Sequence, residues 1–421
     1  MLTIGNNAFD GCAGITSIEF PFGSSLTGGI GDGAFDNCTL LTELNWGVSS
    51  SSRVPFGTNT FGSTTSSPVT TLNILDGVTN IGYGQFTSVH NGTNIRNLTT
   101  INFPGTLTTI GTYAFANCTK LVTLVFPASL RTIELGSFGA CTGLSSLDFS
   151  AVTLSFSILS QAFMNCTKLV TLVFPASLTS IGSSAFNNCN ITSITFPHGS
   201  ALTSIGNGAF GNNNITTLNW GVNRTGSTAA VTFGTDVFGS QGTVTTLNIL
   251  EGVTGIANNQ FNSIATNMGW TESLTTLNLP TTLVNIGDYA FNGCSQITSL
   301  SFTSSPMTIG DYAFNGCTSL ETVEFLRTTL PTIGTNNFTN SLPAGTGNTN
   351  YYVRTQAMKD ILRAGTHNID DDYIHVMSPV KITFNGTVAL AETIVPATIS
   401  DFIKDNPGLL TTTGYMIINE P

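Results

Sequence analysis

Ile110-Gly111-Thr112-Tyr113-Ala114-Phe115-Ala116-Asn117-Cys118-Thr119-Lys120-Leu121-Val122-Thr123-Leu124-Val125-Phe126-Pro127 is one period of a phrase that runs through most of this chain. Its fixed positions are Ile-Gly-x-x-Ala-Phe-x-x-Cys-x-x-Leu-x-x-Leu-x-Phe-Pro. The phrase returns at Ile4, Ile30, Ile81, Ile133, Ile158, Ile181, Ile205, Ile256, Ile286, Ile309 and Ile333, and Phe56 and Phe233 fill the same slot. That makes fourteen turns, spaced 23 to 30 residues apart. A fixed period in this range specifies a solenoid, in which each turn buries its apolar face only against its neighbours and no single deep pocket is expected.

Within the period, Leu124 and Phe126 have the spacing of a strand, with both side chains inward and Thr123 and Val125 outward. Pro127 ends the strand because it has no N–H for a ladder, and Leu130 packs back into the core. Gly111 is expected to permit a tight turn into Thr112-Tyr113-Ala114-Phe115, read as a helical turn on the other side. Ala114 is small because backbone comes close there, and Phe115 fills the interior. Trp46 and Trp220 stand in the Phe126 slot, which predicts core tryptophans rather than ligand platforms.

A longer period sits above the first. The seven slots from Ile4 to Ile158 recur from Ile181 to Ile333 at offsets of 175 to 177 residues. Irregular turns recur too: Leu44-Asn45-Trp46-Gly47-Val48 returns as Leu218-Asn219-Trp220-Gly221-Val222, and Thr71-Leu72-Asn73-Ile74-Leu75 as Thr246-Leu247-Asn248-Ile249-Leu250. The chain is therefore two copies of a seven-turn block, about 4–180 and 181–349. Duplication without functional content explains this, and so does the use of two weak contacts on one stiff rod to raise avidity.

Composition narrows the function classes. Charged residues are 8% of the 421, and the net charge is −11 with only 12 Lys plus Arg. Ordinary soluble domains carry about 25% charged residues. So few cations argue against nucleic acid, whose phosphates need clustered Lys and Arg. No apolar run is long enough to insert in a membrane. Residues 1–349 carry 7 basic and 15 acidic groups and residues 350–421 carry 5 and 8, so the composition shifts near Asn350.

The repeated consensus resembles the BspA-type leucine-rich repeat, over roughly residues 2–349. The resemblance implies a right-handed β/α leucine-rich-repeat solenoid, curved, with a parallel sheet on one face. It also implies binding or adhesion, and it carries no catalytic motif to transfer.

Outward residues of successive strands form the stripe expected to meet a partner. The candidate residues are Asn45, Thr71, Asn73, Thr100 and Asn102 in the first block and Thr217, Asn219, Thr246, Asn248, Thr276 and Asn278 in the second. This is a ladder of hydroxyls and amides with few charges. Its structural reading is that threonine favours strands and stacked amides satisfy one another. Its functional reading is a neutral hydrogen-bonding face for protein or glycan; a flat threonine array also suits ordered water or ice. No aromatic side chain lies in the stripe, which weakens the sugar reading. Charge substitutions at Asn73, Thr100, Thr246 and Thr276 are expected to abolish binding without lowering stability.

Cys12, Cys38, Cys118, Cys141, Cys166, Cys189, Cys294 and Cys317 all hold one repeat slot, which Thr87 and Asn213 fill elsewhere. That marks an interior polar position beside backbone carbonyls. Identical stacked positions point their Cβ vectors in parallel, so reduced thiols are expected. No CxxC supports zinc. His90, His198, His367 and His375 lie far apart, and Asp370-Asp371-Asp372 reads as a solvated turn rather than a calcium site. No cofactor, metal or catalytic residue is expected. The Asn-x-Thr triplets at Asn37, Asn117 and Asn165 adjoin the cysteine slot and read as repeat grammar, not glycan acceptors.

Both ends carry expectations of their own. Met1-Leu2-Thr3-Ile4 matches the tail of a turn, as in Leu178-Thr179-Ser180-Ile181, with no signal-peptide or capping pattern. An open turn edge invites pairing, so this end is expected to be continued by more chain or covered by another protein. At the far end, residues 350–376 read as a capping strand, Tyr351-Tyr352-Val353, and a helix from Thr355 to Arg363 capped by Gly365. Residues 377–421 read as a small ββαβ, β-grasp-like α+β module. Its hairpin is Val380 to Leu390 turning at Asn385-Gly386, followed by a helix at Ile399 to Lys404 and a strand at Tyr415 to Ile418. The function expected is a non-enzymatic binding or adhesion protein, extracellular, surface-displayed or on a virion exterior. The alternative is a structural component of an assembly, joined head-to-tail or to another protein through its N-terminal edge and C-terminal module.

Overall fold

A computed structural model describes residues 2–26, 28–49, 53–62, 67–87, 95, 97–224, 230–239, 243–262, 273–303, 307–326, 329–338, 350–354, 356–364, 374–377, 381–384 and 387–390. It is a parallel-sheet solenoid: the period predicts the solenoid, and the family resemblance implies the parallel sheet. Each turn gives one strand to a face sheet, from Ser17–Phe20 and Glu43–Trp46 through Thr123–Val125 to Thr322–Phe325. Neighbouring strands pair in parallel and in phase: Leu44 stands beside Leu72, Leu218 beside Leu247, Trp46 beside Ile74. Inward positions such as Leu124, Phe126, Trp46 and Trp220 are buried, while Thr123 and Val125 are exposed.

The Ile slot builds a second parallel sheet. Asn80–Ile81, Thr109–Ile110, Thr132–Ile133, Phe156–Ile158, Leu178–Ile181, Ser204–Ile205 and Thr232–Phe233 form one run. Gly255–Ile256 through Thr332–Ile333 form another. Beyond the Ile slot the chain does not make the expected helical turn. Thr112–Phe115 is a tight turn with Tyr113 at φ 56°. The same third residue after the slot has φ between 50° and 61° in every turn, from Asn7 to Asn336. A left-handed residue in the first turn stops an α-helix before it starts. The corners instead hydrogen-bond to the next turn, as Phe115 N–H does to Ser137 O and Phe138 N–H to Ala162 O, each at 2.8 Å. Phe115, Phe138, Phe163 and Phe186 stack there at 5.2–5.3 Å with rings within 8° of parallel.

Gly111 is likewise not the turn residue. A Cβ on it would lie 2.3 Å from Ile81 O, so it is small because the previous turn's backbone presses against it. The left-handed conformation falls two residues later, on Tyr113.

The ladders are interrupted at related places. The face sheet breaks between Thr100–Asn102 and Thr123–Val125 and, one block on, between Thr276–Asn278 and Ser299–Phe302. At both, the strand-to-strand spacing drops to 23 residues from 29 or 30 in the step before. A third break separates Ser146–Asp148 from Thr171–Val173. The Ile-slot ladder breaks after Phe56 and after Phe233. A buried glutamine repairs each of these gaps. Gln85 Oε1 accepts from Val54 N–H at 2.8 Å while its Nε2 donates to Val54 O, and Gln260 does the same for Val231.

At the C-terminal end Asn350–Val353 extends the face sheet, as Tyr351–Val353 predicts. Helix α1, Gln356–Ala364, then packs Met358 and Leu362 onto the end of the core. A further strand, Ile374–Val376, which the sequence does not reveal, pairs in parallel with Asn350–Val353. Lys381–Phe384 and Thr387–Leu390 form the expected antiparallel hairpin. Gly365, Asp370 to Asp372, His90, His367, and the helix and strand expected at Ile399 to Lys404 and Tyr415 to Ile418 lie outside the described residues.

Candidate binding face

Because the face strands stack in phase, an outward position in the sequence becomes a column along the rod. Asn45, Asn73 and Asn102 are register partners, as are Thr71 and Thr100. One block later Asn219, Asn248 and Asn278 form the same column beside Thr217, Thr246 and Thr276. All eleven sequence-predicted residues therefore face outward, gathered into two patches of matching design, one per block.

The asparagines are bonded to one another in one direction. Asn73 Nδ2 donates to Asn45 Oδ1 at 2.7 Å and Asn102 Nδ2 to Asn73 Oδ1 at 2.6 Å. In the second block Asn219 Nδ2 donates to Thr195 Oγ1 at 2.9 Å, then Asn248 to Asn219 and Asn278 to Asn248, each at 2.7 Å. Chains of aligned amides polarise each other, so each ladder ends in an accepting carbonyl, at Asn102 and at Asn278. Glu43 adds an acceptor for Asn73 in the first block where Thr217 stands in the second. Each rung is a cross-strand pair worth about 0.2–1 kcal/mol. The threonines are more lightly bonded: the Thr100 and Thr276 hydroxyls pair with the adjacent Thr99 and Thr275 hydroxyls at 3.5 Å. The four test positions thus divide. Thr100 and Thr276 are exposed and lightly held, Thr246 is half-buried in the sheet, and Asn73 belongs to a ladder that contributes to the sheet itself.

The outward strand positions carry acids, Glu19, Glu43, Asp148 and Glu324, and no Lys or Arg. The Ser150 hydroxyl and N–H hold the Asp148 carboxyl below its usual range, against a small opposing effect of burial. Two features of the face escape sequence reasoning: the one-way direction of the ladders, and the grooves where the sheet breaks. The groove beside Asn102 measures about 560 Å³ and the one beside Asp148 about 590 Å³.

The cysteine slot has a structural explanation. Cys141 Sγ donates to Phe115 O at 3.2 Å, Cys166 to Phe138 O at 3.3 Å, and Cys38 to Phe9 O at 3.1 Å. Asn213 Nδ2 reaches Phe186 O in the same way, at 2.8 Å. The slot thus needs a small donor to the previous turn, and all eight cysteines are free thiols. Cys12 departs from the interior expectation: it is exposed. Asn37, Asn117 and Asn165 sit at φ 55°, 63° and 65°, a left-handed corner that asparagine tolerates better than most residues. Among the described residues there is no cluster of metal-ligating side chains, and no helix is long and apolar enough to cross a membrane.

Comparison with known families agrees with this geometry. Residues 2–96, 56–157, 92–216, 153–266 and 263–344 match the model of the BspA type leucine rich repeat region. The chain belongs to the BspA-type leucine-rich repeat family. Similar solved structures include a leucine-rich repeat protein from Bacteroides ovatus, 21% identical over 90% of this chain and 88% of that one, with a TM-score of 0.44. A leucine rich cell surface protein from Faecalibacterium prausnitzii is 21% identical over 69% and 89%, with a TM-score of 0.34. A leucine-rich repeat protein from T. pallidum is 23% identical over 45% and 72%, with a TM-score of 0.25. No curated protein matches the chain.

Proposed function

We propose that this BspA-type repeat protein is a non-enzymatic binding protein, displayed on a surface or extracellular, that presents its strand face to a protein or glycan partner. The observation that supports this most directly is the repetition of one outward polar patch, Asn219-Asn248-Asn278 with Thr217-Thr246-Thr276, from its counterpart one block earlier. Two like patches on one rod let two weak contacts act together, which raises avidity without tightening either. The face gives hydroxyls and amide N–H groups in a regular array and lacks the cations that nucleic acid would need.

Binding of the full chain to a panel of immobilised glycans and surface proteins tests the reading. Thr100→Glu with Thr276→Glu changes exposed side chains only, so thermal stability stays within about 0.5 kcal/mol while binding to any positive partner falls. Each single substitution leaves an intermediate affinity if both patches engage. A panel without signal, or a double variant that binds like the parent chain, refutes the proposal.

A further inference from the structure

The strand face changes character in the last third of the first block. Residues 117–130 and 165–178 are identical in sequence, and each places two valines outward. Val122, Val125, Val170 and Val173 are 51%, 56%, 43% and 59% exposed. Between these two turns lies the strand Ser146–Asp148, with Asp148 the register partner of Val125. The short pair formed by Thr123–Val125 and Ser146–Asp148 is cut off from the rest of the face sheet on both sides. A groove opens at each cut. Asn102, Phe103 and Val125 help line one, and Asp148, Phe149 and Val173 help line the other.

An acid therefore stands among four exposed valines, with a groove on each side. Asp148 is half-buried and accepts from Ser150 N–H at 2.8 Å, and no ion pair to it is found among the described residues. Lys120 and Lys168 precede the valines on the exposed rim and make no such pair either. The second block does not repeat the feature: Thr298 and Ser301 stand where Val122 and Val125 do, although Glu324 keeps the charge of Asp148. The patch is thus a local departure from the ladder, not a requirement of the repeat.

We infer that the Val122–Val125–Asp148–Val170–Val173 patch docks an extended segment of a protein partner that carries an arginine or lysine between aliphatic side chains. Aliphatic groups of such a segment cover the valines and enter the flanking grooves, while its cation meets the one carboxylate among them. Charge complementarity selects this occupant. The outward strand positions carry acids and no cation, Lys120 and Lys168 standing apart on the rim before the strands, and a chain of net charge −11 draws basic partners and repels acidic ones. Thr123, Ser145, Ser146 and Thr171 interrupt the valines with hydroxyls, a pattern suited to a peptide's alternating side chains rather than to a lipid surface. The inference rests on the proposal that the strand face binds a partner, and it names the chemistry of that partner.

The test uses the full chain and a synthetic ten-residue peptide alternating valine and arginine, with valine–glutamate and serine–arginine peptides as controls, read by fluorescence anisotropy at low and high salt. The valine–arginine peptide is expected to bind roughly tenfold or more tightly than either control. Asp148→Asn is expected to weaken it about tenfold and to remove most of the salt dependence. Val125→Thr with Val173→Thr, which introduces the polarity of the second block at exposed positions, is expected to weaken it by a similar factor at unchanged circular dichroism. Equal binding of the three peptides, or variants that bind like the parent chain, overturns the inference. If the peptide fails while the glycan and protein panel still gives Thr100- and Thr276-dependent binding, the docking patch is wrong and the face proposal stands. If both fail, both fall.

Discussion

At the scale of single residues, the repeat is held by small groups that meet the neighbouring turn. Gly111 leaves room for Ile81 O, and the cysteine slot gives that neighbour a weak S–H donor. Burial pushes the thiols of Cys118, Cys189 and Cys294 up to about 12 from 9.0, and those of Cys141, Cys166 and Cys317 well up in the same direction. Because the folded pKa is raised, the unfolded chain loses these protons first. Their contribution to stability is complete below pH 9 and is lost as pH rises from there towards 12. Denaturant titrations are therefore expected to show flat stability up to about pH 8.5 and a fall above pH 9, with each thiol contributing about 1.4 kcal/mol per pH unit. In the native protein at pH 8, an alkylating reagent should label Cys12 rapidly and the buried thiols only after denaturation, as read by mass spectrometry. Rapid native labelling of Cys118 or Cys294 contradicts this packing.

At the scale of elements, two of the three breaks in the face sheet fall where the strand-to-strand spacing drops from 29 or 30 residues to 23, while the Ile-slot sheet stays paired across the first of these drops. Gln85 and Gln260 show how an interrupted ladder is kept satisfied: one side-chain amide replaces both the donor and the acceptor of a missing strand residue. Gln260→Leu fills a similar volume but leaves Val231 N–H and C=O buried and unpaired. Since an unsatisfied buried group costs about 1–3 kcal/mol, the variant is expected to be less stable by about 2–4 kcal/mol in a denaturant titration. Gln260→Glu at low pH, where the carboxyl can still donate and accept, is expected to recover part of the loss. Unchanged stability of the leucine variant would show that the amide is dispensable to this gap.

For the whole molecule, stability is a chain of nearest-neighbour contacts, so damage stays near its origin. Helix α1 covers one end with Met358 and Leu362, which are 2% and 1% exposed. Leu362→Asp buries a charge there and is expected to free that end alone. Hydrogen exchange should accelerate in Asn350–Val353 and Ile374–Val376 and remain slow at Thr171–Val173 and Ser193–Phe196. Uniform acceleration along the rod would mean that the turns unfold as one cooperative unit.

The period, the inward Leu124 and Phe126, the core role of Trp46 and Trp220, and the outward columns of asparagine and threonine are legible in the order of residues alone, while the parallel sheet came from the family resemblance. The features read from the residues follow from short-range rules: alternate residues of a strand face opposite ways, and a repeated phrase repeats its geometry. What depends on the distance between turns emerges in the folded chain. The left-handed corner at Tyr113, the close approach at Gly111, the one-way bonding of Asn45, Asn73 and Asn102, the glutamine repairs and the grooves beside Val125 and Asp148 all arise where one turn meets the next. A phrase read along the chain specifies each turn, but how successive turns of unequal length stack is settled only when their backbones compete for the same space and hydrogen bonds.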